Sequence, residues 1–107
     1  MDPRALIAAA LAAFVLACSG PHATATDTRV RASSRAGFYR VETRLENAGG
    51  SGQVDVTVRL RNRETGRTVT QQQPVDLQRH DHVDVAVEIP APPGNYDVDV
   101  TVQYPPQ

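Results

Sequence analysis

Lysine and tryptophan are absent from this 107-residue chain, cysteine occurs once, and aromatic residues make up 5% of it. Each scarcity excludes a class of function. Without tryptophan and with so few rings, a sugar-stacking platform has no support. One cysteine, Cys18, leaves no partner for an intramolecular disulfide and no cysteine zinc site, so a hydrophobic core must hold the fold by itself. A formal net charge of −1 argues against a dedicated nucleic-acid binder. No Gly-x-Ser-x-Gly elbow and no phosphate loop occur, and the chain reads as no enzyme. The longest apolar run, Ala5 to Ala17, spans about 20 Å as a helix, short of the roughly 30 Å hydrocarbon core.

That run is nevertheless the strongest signal present. It follows a single basic residue, Arg4, and stops at Cys18, the layout of a helical secretory signal peptide over residues 1–17. Val15-Leu16-Ala17-Cys18 resembles a bacterial lipobox. The resemblance implies a diacylglycerol on the sulfur of Cys18 and no other cofactor, and each buried CH₂ of the lipid adds about 0.8 kcal/mol to the anchor. It further implies an exported, membrane-anchored protein of the cell envelope. Ser19, where an inner-membrane retention signal would show Asp, favours the outer membrane. An alternative small-x-small cleavage site at Ala23-Thr24-Ala25 would discard Cys18 and release a soluble secreted domain.

From Cys18 to Asp27 the chain is small and polar, with Gly20, Pro21 and alternating Ala and Thr, and reads as a lipidated tether. A single domain is expected over 28–104, followed by a short tail, 105–107. Its period is two. Val54, Val56, Val58 and Leu60 alternate with Asp55, Thr57, Arg59 and Arg61, the pattern of a strand with one buried and one wet face. Val83 to Ile89 and Tyr96 to Tyr104 repeat it, Tyr39 to Leu45 gives a fourth strand, and Thr28 to Ala32 a weaker first one. Phe38 and Tyr39 read as core and rim. Asn47 to Gly52 and Arg63 to Gly66 read as hairpin turns, and Pro74, which cannot donate to a ladder, is expected to close a strand near Thr68 to Thr70. Ala91-Pro92-Pro93-Gly94-Asn95 reverses the chain before its last strand. Short strands at this spacing without helices predict an all-β antiparallel sandwich of six or seven strands.

Val41 to Val69, with its Leu45-Glu46-Asn47-Ala48-Gly49 turn and Glu64-Thr65-Gly66-Arg67 hairpin, resembles the bacterial immunoglobulin-like domains of the CARDB and FxLYD types. Pro93-Gly94-Asn95-Tyr96-Asp97-Val98 is similar to the tyrosine corner of such sandwiches. Two departures stand out. Leu60-Arg61-Asn62 occupies the place of a Leu-Tyr-Asp, and Tyr104-Pro105-Pro106-Gln107 follows where a further strand is expected. The resemblance implies a non-catalytic binding or structural module.

If the last strand lacks a neighbour, its edge, marked by Asp97, Asp99 and Thr101, is open to a strand from a protein partner. The competing expectation is that Thr28 to Ser34 covers it. A small-ligand or metal-binding alternative rests on His80 and His82 with Asp84, which share one face of an extended strand at roughly 6 to 7 Å spacing. Those three are weak candidates, because exposed polar residues must occupy that face anyway. Asp97 and Asp99 read better as a solvated row opposite Arg59 and Arg61 than as calcium ligands. Charge is unevenly spread, nine arginines against five acids from Asp27 to Arg67 and one against six from Pro74 onward. Cross-strand pairing between the halves is expected, with a basic patch for anionic lipid as the alternative.

Overall fold

The structure is a computed structural model and describes residues 20–105. The signal segment 1–17 with Val15, Leu16 and Ala17, the lipidation candidate Cys18, Ser19, and the last two residues lie outside the described residues.

Six strands follow one another: β1 (Ala23–Ala32), β2 (Phe38–Asn47), β3 (Gly52–Asn62), β4 (Thr68–Leu77), β5 (His82–Pro90) and β6 (Tyr96–Gln103). They form two antiparallel three-stranded sheets. Sheet A has the order β1-β2-β5 and sheet B the order β4-β3-β6. The alternation that makes each strand also makes the core. Val41 and Leu45 of β2, Val54, Val56, Val58 and Leu60 of β3, and Val87 and Ile89 of β5 point between the sheets and are buried. Burying a side chain of this kind contributes roughly 1.5 to 3 kcal/mol over leaving it exposed. β2 and β3, central in their sheets, carry most of it.

Two chain reversals are hairpins, β1–β2 and β3–β4, and the other three carry the chain between sheets. The second hairpin closes as its residues demand. Asn62 Oδ1 accepts the N–H groups of Glu64 and Thr65 at 2.8 and 3.0 Å, and Gly66 turns with φ +75°, a region that favours glycine. Asn47 to Gly52, read above as a hairpin turn, instead passes from sheet A to sheet B. Its glycines allow close approach of backbone, and a Cβ on Gly49 would meet the backbone of Gly20 and His22.

Three further expectations need correction. Residues 23–27, assigned to the tether, belong to β1, because alternating Ala and Thr is itself a period-two pattern: Ala23 and Ala25 pack against the core and Thr24 is exposed. β4 does not stop before Pro74 but runs through to Leu77. It is an edge strand, where the ladder tolerates a proline. Thr28 to Ser34 does not cover the last strand, since β1 hydrogen-bonds β2.

The first strand carries a bulge. Thr26 pairs with Arg44 and Arg29 with Glu42, so Asp27 and Thr28 together oppose Thr43. Asp27 takes φ +52° and absorbs the extra residue. Inward positions therefore switch from Ala23 and Ala25 to Thr28 and Val30. The Thr28 and Thr43 hydroxyls bond each other at 2.9 Å, satisfying two polar groups beside the core.

Candidate functional site

A three-stranded sheet has two edges, and the four edges of this sandwich differ. β1 is kinked by its bulge, and β4 has Pro74 in its middle. On β5 the inward residues Val85, Val87 and Ile89 are buried. β6 has neither bulge nor proline between Tyr96 and Gln103, and its inward residues Val98, Val100 and Val102 are only half-buried. Natural sheets blunt free edges with prolines, bulges and charge. On β6 only charge is used.

The charges on β6 are Asp97 and Asp99, and both are engaged from the β3 side. Asp99 stands opposite Arg59 and Asp97 opposite Arg61 in the ladder, and Thr101 opposite Thr57. Asp97 Oδ1 accepts the Arg63 Nε–H at 2.7 Å, and the Arg59 guanidinium lies 3.7 Å from Asp99 Oδ2. These are pairs between the arginine-rich and acid-rich stretches of the chain. Among the described residues no strand lies along the other side of β6.

The start of β6 is locked in place. Tyr96 Oη donates to the carbonyl of Pro92 at 2.6 Å, four residues upstream, the geometry of a tyrosine corner. Its ring meets Tyr39 edge-on with centroids 5.1 Å apart, and Tyr39 Oη in turn accepts from Gly94 N–H at 3.0 Å and reaches Gly94 O at 3.1 Å. The far end is held by Tyr104, whose ring packs so closely on Gly20 that a Cβ there would overlap it.

The histidines are arranged differently from the spacing argument. β5 begins at His82, and His80 sits in the preceding turn with φ +55°, so the two do not share one extended face. Asp84 stands opposite Arg44 and lines a separate depression with Asp27, Arg29, Arg40 and Glu42. His80 and His82 are joined instead by His22, all three lining one cleft with Glu46 and Asp81. No pattern along the chain announces His22; the folding of β1 onto β2 brings it there. Among the described residues no group of three histidine, aspartate or glutamate side chains is placed to hold a metal ion.

The outer face of sheet A is a lattice of both signs. Arg29, Arg31, Arg40 and Arg44 are interleaved with Glu42, Glu46, Asp84 and Glu88 by the register, which leaves no basic patch there. Glu42 is its hub, bonded by Arg31 at 3.0 Å and Arg40 at 3.2 Å. The Arg40 hydrogen bond, helped by the charges of Arg31 and Arg40, holds the Glu42 carboxyl below its ordinary value.

No protein-family model matches this chain, and no curated protein matches it significantly.

Proposed function

We propose that this chain is an exported envelope lipoprotein whose folded part is a non-catalytic, immunoglobulin-like module that docks a protein partner by pairing a strand with β6. The observation that carries the docking reading is the unblocked edge of β6, with Val98, Val100 and Val102 half-buried beneath it. A strand laid there would satisfy the free backbone groups and cover the valines together. The immunoglobulin-like reading is supported by the β1-β2-β5 and β3-β6 pairing and by the tyrosine corner at Tyr96.

The anchor reading is supported by the lipobox-like Val15-Leu16-Ala17-Cys18. Cys18 stands two positions before Gly20, at most about 7 Å of extended chain. An acyl group on Cys18 therefore holds the end of the sandwich bearing Gly20, His22, His80 and His82 against the headgroups, with no long tether between.

Hydrogen exchange of the amides from Asp97 to Val102 in the monomeric protein tests the edge. Alternating fast and slow amides are expected, the slow ones bonded to β3; uniformly slow exchange would mean a covered edge and would sink the docking reading. Mass analysis of Cys18 tests the anchor, with Cys18→Ala expected to leave the membrane fraction.

A further inference from the structure

The geometry points to a second copy of this chain as the strand that β6 receives, an inference that rests on β6 being a docking edge. A strand pairing with itself across a two-fold axis must set inward side chains against inward ones, because a slip of one residue reverses every face. The symmetric registers are therefore those centred on a residue. Centred on Asp97 or Asp99, the register lays an acid against its own copy. Centred on Val98, it sets Asp97 against the partner's Asp99 twice. Centred on Val100, it sets Asp97 against the partner's Gln103 and Asp99 against the partner's Thr101, so each carboxylate meets a side chain able to donate a hydrogen bond. Centring on Thr101 also separates the acids but pairs only 99–103 of β6, where the Val100 register pairs 97–103.

The inner face agrees with this choice. Val98 then lies beside the partner's Val102, and Val100 beside its own copy, so the half-buried valines close over one another. Sheet B becomes one six-stranded sheet running β4-β3-β6-β6-β3-β4. The two-fold axis is perpendicular to that sheet, which leaves both copies of sheet A on the same side. Both chains then enter β1 on one side of the pair, as two anchors in one membrane require.

Sedimentation of the purified full-length protein in mild detergent tests the pairing. The wild type is expected to be a dimer. Thr101→Asp sets a second acid against the partner's Asp99 at two symmetric places and should weaken the dimer by about tenfold or more. Adding Asp99→Thr to Thr101→Asp returns an acid-against-threonine pairing and should restore it. Asp99 and Thr101 are both exposed, and unchanged circular dichroism shows that the variants fold. A monomeric wild type, or a dimer indifferent to Thr101→Asp, overturns the second copy as occupant. Hydrogen exchange separates the two ideas: a monomer with fast β6 amides keeps the docking edge and loses only the self-pairing, whereas a monomer with slow ones loses both.

Discussion

Asn47 is buried at the end of β2 and uses its whole amide. Its Oδ1 accepts the N–H of His22 at 2.9 Å and of Gly49 at 3.0 Å, while its Nδ2 donates to Gly50 O at 2.9 Å and Gln78 O at 2.8 Å. One side chain thus joins the segment before β1, its own loop and the β4–β5 loop. Asn47→Ala strands two donors and two acceptors, and a loss of about 2 to 3 kcal/mol is expected. Urea unfolding of wild type and variant measures it, and an unchanged midpoint would refute the role. Asn47 reads along the chain only as a polar residue in a glycine-rich loop. Its partners lie far off in sequence, and no local spacing encodes a bond to His22 or Gln78. The same holds for the meeting of His22 with His80 and His82.

The strands differ in how openly the sequence announces them. β3 and β5 keep strict parity, Val-x-Val-x, because one face is buried along the whole length. β6 keeps it too, and Asp97, Asp99 and Thr101 emerge on the outer face as their positions imply. β1 hides itself: the bulge at Asp27 shifts its inward residues from odd to even positions, so the first half looks like a tether and the second like a weak strand. β4 hides for another reason. As an edge strand it buries little besides Leu77, so glutamines and Pro74 stand where a central strand would show valines. The bulge makes its own prediction. Asp27 has φ +52°, which a β-branched residue adopts only at a cost, so Asp27→Val should lose about 1 to 2 kcal/mol while Asp27→Gly is tolerated. Thermal unfolding of the two variants tells them apart, and equal midpoints would show that the bulge moves freely.

The molecule as a whole rests on its core rather than on its charges. Arg59–Asp99 and Arg63–Asp97 join the arginine-rich and acidic stretches, yet their side chains are about 60% exposed. Each such pair contributes no more than about 1 kcal/mol and is screened by salt. Raising the salt to about 1 M should therefore shift the unfolding midpoint only slightly, whereas Leu60→Ala, at a fully buried site, should cost about 2 to 5 kcal/mol. Chemical unfolding at two ionic strengths makes the comparison, and a larger effect from salt than from Leu60→Ala would reverse it.

The packing of Tyr104 on Gly20 has a mechanical meaning. The place where the described chain enters the sandwich touches the place where it leaves, and β1 starts at the same end at which β6 finishes. A pull that separates these two points acts across the strands, not along them. It breaks the Tyr104 contact first and then opens ladder bonds one after another, like a zip, instead of shearing a whole strand at once. Tension between what holds Gly20 and what holds Tyr104 would thus be released at low force, and the module would yield from that end while the loops at the opposite end stay closed.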